Sequence, residues 1–465
     1  MYLCAAFCYI NMYQFTQIIK ILAFACCAVF VFLIPFDWQS GNYILGSFAL
    51  FAVVNPELWK NIKTTRLSFA EKALLLVTAT YLLWELVSML WTYNTDRGLT
   101  VITRHLPLFA MPCLMVLGKI GGVIKRPGTI LQIFCLGVLV SMVMCLILSY
   151  YDSLHEVNGE MVFDHRLPGY RDRGTFDTIS CGYSYFSYTQ LSHFENPHYI
   201  ATFVNVVIMT AYANFYECKF KLLPSILLSL LVVFCSVFLF MLCNRANYLI
   251  FIIMLVIVAV YEFFVKKHRI VGVVALVGMV SLSVVMFTSG RGNDIVSKVK
   301  SFVMNDINDE DADISKEEKM QKINGRAITW DSSTHLIAKH PVLGSGVGDT
   351  REALIGQYYI DGFIDTAYEG FNSHNQYLDT WIGVGIVGVL LLLCLLVLPV
   401  IAGFKYGYLP LILYDMALIV GFVTEVMFTH SIGDFTITLV MMLMIMSAIE
   451  QFNKTKSSTI PVERT

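Results

Sequence analysis

Charge is what this chain has least of. Asp, Glu, Lys and Arg together make up 14% of its residues, where a soluble domain carries about 25%. The shortage is spread over many separate apolar runs, and hydrophobic residues reach 57%. That excludes an ordinary soluble fold and predicts a polytopic helical membrane protein, since a helix satisfies its own backbone groups in lipid. Metal-binding patterns are also missing, with no CxxC, no HExxH and no clustered ligand set. No Walker or dinucleotide-type phosphate loop is expected either. No cofactor or metal is therefore expected, and the energy for any reaction has to arrive with the substrate. With a net charge of −2 and no basic patch, nothing points to nucleic acid.

What is present is a series of apolar spans, at about 17–36, 41–58, 69–91, 99–118, 128–150, 197–216, 222–242, 246–265, 269–288, 376–403, 408–428 and 433–451. Most approach the roughly 20 residues a bilayer core requires. Twelve spans place both termini on one side. Lys60, Lys63 and Arg66 follow the second span, and Lys119, Lys125 and Arg126 the fourth. Lys219 and Lys221, then Lys266, Lys267 and Arg269, then Lys405, continue the pattern, and Lys454, Lys456 and Arg464 lie in the tail. Every even-numbered turn is basic, so these turns and both termini are expected in the cytoplasm. The amino-terminal segment has no basic residue before Lys20 and no small-residue cleavage site after its apolar run, so it is expected to stay as an anchor.

The chain then divides into spans one to nine over 1–288 with an outer loop at 151–196, a long outer loop at 289–375, spans ten to twelve over 376–451, and a tail at 452–465. Most of the twelve cysteines fall inside spans, where they act as small apolar residues. Cys181 is the one placed in an outward loop, which leaves it no internal disulfide partner. The aromatic residues of 151–196, among them Tyr170, Phe176, Tyr183 and Phe186, suit either an interfacial belt or stacking on sugar rings. The charged run Asn305–Lys322 is expected to be a solvated surface segment.

The long loop holds the residues with chemical promise. Ala327–Ala338 has the spacing of a short helix, and Pro341 with Gly344, Gly346 and Gly348 is expected to end it in a tight turn. A second helical stretch is expected to carry His374. A neutral imidazole there suits the removal of a proton from a hydroxyl, with Asn372, Ser373 and Asn375 able to orient a ring nitrogen. The plain alternative is an interfacial histidine satisfied by hydrogen bonds. Arg326 is either a surface residue balancing the acidic run or a clamp for a phosphate or diphosphate. Arg245, in the short turn between spans seven and eight, either snorkels or faces a polar cavity. Arg104, next to His105, has the same two options. His340, Arg291, Arg351, His198 and His430 are weaker candidates.

The order of these pieces resembles a known family. An outer-turn arginine is followed by R-x-x-x-W at Arg326–Trp330, HP-x-x-G-x-G at His340–Gly346, HN-x-x-L at His374–Leu378, and Gly385–Gly388 in the next span. The chain thereby resembles the O-antigen ligase and Wzy-type polymerase superfamily of bacterial envelope glycan assembly. The resemblance implies a GT-C-like glycosyltransferase of the inner membrane, working at its periplasmic face on a glycan carried by undecaprenyl diphosphate. It implies that His374 activates the acceptor hydroxyl and that Arg326, with Arg245 and Arg104, holds the lipid diphosphate, supported by Asn375, Asn372 and His340. It implies neither metal nor nucleotide. The acceptor is expected to be lipid A-core, as in a ligase; a second lipid-linked repeat would make the protein a polymerase, and a protein hydroxyl an O-oligosaccharyltransferase. A transporter or flippase is the rival from another class, although no internal repeat is evident and the charged candidates gather at the outer face rather than the midplane.

Overall fold

The computed structural model describes residues 2–36, 41–217, 221–288, 325–429 and 431–459. A helix lies over each of the apolar runs, so the chain is mostly helical, as expected. By length and composition, seven described helices suffice to cross a membrane: Met12–Phe36, Thr95–Ile120, Pro127–Asp152, Leu222–Met241, Ala246–Lys266, Gln376–Tyr406 and Phe435–Ser457. Asn42–Val54, Arg269–Val285 and Leu409–Thr424 are apolar but shorter. The first helix starts at Tyr2, well before the expected limit, and the one expected over 408–428 stops at Thr424.

Local sequence explains where these helices begin and end. Ser68 and Glu71 form a reciprocal capping box at the start of Phe69–Ser88, and Lys119 pairs with the buried Glu71. Asn94 caps Thr95–Ile120, and Asn244 caps Arg245–Val260. Inside the bundle, Phe134 and Phe203 meet edge to face at 5.5 Å. Leu230, Val233, Val274 and Leu276 instead point outward and exposed, which suits helices that face lipid.

One element departs from the all-α expectation. Leu154–Val157 pairs antiparallel with Glu160–Phe163 in the 151–196 loop. Asn158 and Gly159 join them, both with positive φ, as a two-residue Asn-Gly hairpin turn requires.

The long loop builds a small cap of its own. Helices Gly325–Lys339, Thr350–Asp361 and Ile364–Glu369 enclose Ile328, Leu354, Tyr358 and Phe363, all buried, against Ile382. Each such fully buried side chain contributes roughly 1.5–3 kcal/mol. The charged run Asn305–Lys322 lies outside the described residues.

The glycine-rich turn between the first two helices of this cap is inserted into a broken helix. Gly385, inside Gln376–Tyr406, has φ 70° and ψ −171°, so the helical hydrogen-bond ladder opens there. The freed carbonyls are taken up from outside the helix. Ser345 and Gly346 donate their amides to Ile382 and Gly383 at 2.7 and 2.9 Å. Ile386 donates to the Pro341 carbonyl at 3.2 Å, and the Trp84 indole donates to Val384 at 2.8 Å. Backbones lie so close that a Cβ on Gly385 would come within 2.0 Å of the Val342 oxygen. Gly383, Gly385 and Gly388 have the spacing of a dinucleotide loop, but they serve this helix break instead.

Candidate functional site

His374 occupies neither of the short helices but the link between Ile364–Glu369 and Gln376–Tyr406, so the helical placement expected for it is corrected. Its φ of 46° is the left-handed conformation, uncommon outside glycine. Several bonds hold the residue there. Asn372 accepts the His374 amide through its side chain at 3.0 Å, and Asn375 accepts the amides of Tyr377 and Leu378, capping the next helix. The Thr329 hydroxyl donates to the Ser373 carbonyl at 3.3 Å. Asn372 and Asn375 thus shape the backbone and do not touch the imidazole.

The imidazole is oriented by a residue that the sequence had not marked. Nδ1 of His374 lies 3.2 Å from one carboxylate oxygen of Glu425 and 3.4 Å from the other. An ionised carboxylate only accepts, so Nδ1 donates to it, and in the neutral form of the ring Nε2 is the nitrogen that keeps its lone pair. Glu425 also lies 3.6 Å from Nε2 of His198 and 3.9 Å from a guanidinium nitrogen of Arg326. One carboxylate therefore gathers two histidines and an arginine from three distant parts of the chain. Burial acts to raise the Glu425 carboxyl, but the hydrogen bond and charge of His374, the charge of His198 and the Val426 amide outweigh it and hold the group below its ordinary value.

Glu425 follows the last residue of Leu409–Thr424 in extended conformation. The short 3-10 turn Met427–Thr429 that comes next is held from three sides. Gln376 accepts the Phe428 amide at 2.9 Å, Tyr199 donates its hydroxyl to the Met427 carbonyl at 3.0 Å, and Nε2 of His105 contacts the Phe428 carbonyl at 3.1 Å.

His374 opens onto a cavity of about 500 Å³, whose wall also holds Arg97, Arg104, Arg351, Asn372 and Asp379. Arg104 is thus brought to the same cavity as His374, as expected. Arg97 is already engaged by Glu352. His105 and Glu85 form a buried pair in the wall at 2.7 Å. The carbonyl of Phe428 can only accept, so Nε2 of His105 donates to it, and one further proton is shared between Nδ1 and Glu85. His105 is thereby committed on both nitrogens, which leaves His374 as the histidine of this cavity with an open ring nitrogen among the described residues.

The other expected residues separate. Arg326, at the start of Gly325–Lys339, reaches Glu425 but does not line the cavity. Arg245 is the first residue of its helix, and its side chain lies outside the described ones. His340 is exposed where the glycine-rich turn begins, and its carbonyl accepts the Gly344 amide at 3.1 Å, so its role is in the turn and not beside His374. Arg291 and His430 lie outside the described residues. Among the described residues, no group of three or more His, Cys, Asp and Glu could hold a metal ion.

Many apolar helices mark a multi-pass membrane protein, and its described residues bring an imidazole backed by a carboxylate to a cavity that also holds three arginines. Residues 230–393 match the family model described as O-Antigen ligase, in agreement with the motif resemblance to the O-antigen ligase and Wzy-type superfamily. The matched segment includes Arg326, His374 and the glycine-rich turn, but ends before Glu425. Against curated protein sequences the chain has no significant match.

Proposed function

We propose that this protein is a glycosyltransferase that moves a glycan from undecaprenyl diphosphate onto an acceptor hydroxyl at the periplasmic face of the inner membrane. In this reading both termini are cytoplasmic and the acceptor is lipid A-core, as in an O-antigen ligase. The observation that carries it is His374, with Nδ1 on Glu425 and Nε2 unpartnered among the described residues, facing a cavity walled by arginines.

The reaction follows from that geometry. Nε2 of His374 takes the proton from the acceptor hydroxyl, and the oxygen attacks the anomeric carbon of the donor. The bond from that carbon to the diphosphate breaks on the opposite face, and its electron pair leaves with the lipid diphosphate. The linkage is therefore inverted. Diphosphate is a good leaving group, so Arg326 and Arg104 need only hold its charge, with Arg245 a third candidate. Glu425 offsets the positive charge that develops on His374, and on substrate binding Arg326 is released from it towards phosphate. This mechanism uses side chains alone. Holding two lipid-linked substrates together supplies much of the remaining acceleration.

The test is a reconstituted transfer assay with undecaprenyl-diphosphate glycan, in which lipid A-core and a second lipid-linked repeat are offered separately. Product on lipid A-core, absent with His374→Ala, supports the ligase. A ladder of longer lipid-linked chains, also lost in the variant, makes the protein a polymerase. Absence of transfer to either acceptor by folded protein overturns the reading.

A further inference from the structure

We propose that Cys181 and Cys243 are a disulfide-forming pair that fastens the 151–196 loop to the turn in front of Arg245. In sequence Cys181 stood by itself, because Cys243 sits at the end of an apolar run. In the structure the run's helix ends at Met241, and Cys243 lies in the turn beyond it with φ 57°. Its sulfur is 3.1 Å from the carbonyl oxygen of Ile179 and 3.7 Å from that of Ser180. Ser180 is bonded to Cys181, so the two cysteines are brought within one residue of each other from separate elements.

The contact is built on both sides. Cys181 is the last residue of the short helix Thr175–Cys181, and Gly182 closes that helix in the left-handed conformation. Phe176 on the same helix stacks against Phe240 at 5.9 Å, one turn before Cys243. Aromatic and sulfur contacts thus dock the same helix against the same turn. Cys181 is half-buried, and its thiol donates to the Asp177 carboxylate at 3.5 Å, a bond that the link would replace. Asn244 and Arg245 follow directly, so the link would pre-order the turn that presents Arg245.

Oxidation removes a proton and an electron from each thiol as the sulfur–sulfur bond forms. The acceptor is the disulfide of an oxidised thiol–disulfide carrier protein, which leaves as a dithiol. Such carriers operate outside the cytoplasm, where disulfides persist. The proposal therefore rests on the periplasmic placement of these two segments, as the proposed function does.

Full-length protein extracted from membranes in detergent with an alkylating agent and no reductant, then digested, tests it by mass spectrometry. A peptide joining the segments of Cys181 and Cys243, separated by reductant, is the expected result. Linkage that appears only after treatment with oxidised glutathione supports the pair but counts against the periplasmic placement. Both thiols alkylated in folded protein, even after that oxidant, overturn the proposal. As a second measurement, Cys181→Ser and Cys243→Ser should each lower the melting temperature by as much as the double variant, since either change removes the link. Additive losses count against it.

Discussion

The amide of Gly346 donates to the carbonyl of Gly383 at 2.9 Å, so a glycine-rich turn completes a helix that a second glycine motif has broken. The two motifs are one device. The helix break exposes carbonyls, and Ser345 and Gly346 supply amides to them, in an approach that leaves no room for a Cβ at Gly344 or Gly385. His374 lies in the link just before this helix, whose first turn Asn375 caps.

Gly385→Ala tests this device. A side chain at φ 70° and ψ −171°, a region essentially confined to glycine, costs about 1–3 kcal/mol. The clash with the Val342 oxygen adds to it, because backbone has to move. The expected outcome is a lower melting temperature in detergent and faster proteolysis of the 325–375 cap. Unchanged values would mean that the turn is not held by the helix break.

His374→Ala should lower transfer by about 10²–10⁴-fold, the usual contribution of a general base. Its melting temperature should stay near wild type, since the side chain is part-exposed. Single-turnover rates measured beside thermal unfolding separate lost chemistry from lost fold.

Glu425→Gln keeps a hydrogen-bond acceptor beside the His374 ring but removes the charge. Loss of a carboxylate that orients a general-base histidine is expected to lower kcat by up to about 10⁴-fold. KM for the donor should change little. A rise in KM with kcat intact would place Glu425 in substrate binding instead.

The same residue predicts a pH dependence of stability. Its carboxyl is held below the ordinary value of 4.5 in the folded protein. It therefore contributes stability above that value, and the contribution is lost as pH falls through the lower folded pKa. Melting temperature followed downward from pH 6 should drop more steeply for wild type than for Glu425→Gln. Parallel curves would remove Glu425 from the explanation.

Arg326→Ala and Arg104→Ala should each cost about 10²–10³-fold in kcat/KM if they stabilise charge on the leaving diphosphate. Lysine at either position restores only part of this, because it lacks the planar fork of guanidinium. Full activity of Arg326→Ala would confine that residue to its contact with Glu425.

Much of this protein was legible from its sequence because the signals are local. Apolar runs predict helices, Ala327–Ala338 falls inside an observed helix, and the glycines after Pro341 form the tight turn expected of them. The hairpin at Asn158–Gly159 is equally local, marked by its Asn-Gly pair. His374 and Arg104 were found through residue type and position in loops or at span ends. Glu425 left no comparable mark, being one carboxylate at the end of an apolar helix, 51 residues beyond the histidine it orients.

By itself the sequence determined a multi-pass helical protein with a long polar loop, the glycines that permit close backbone approach, and the histidine and arginines available for chemistry. The tertiary structure decided which of these meet. It joined Glu425 to His374, His198 and Arg326, committed His105 to Glu85, left His340 outside, and brought Cys243 to Cys181. The physical reason is that propensity and hydropathy act over a few neighbouring residues. Hydrogen bonds and charge act over a few ångströms of space, and only helix packing sets which distant residues come that close.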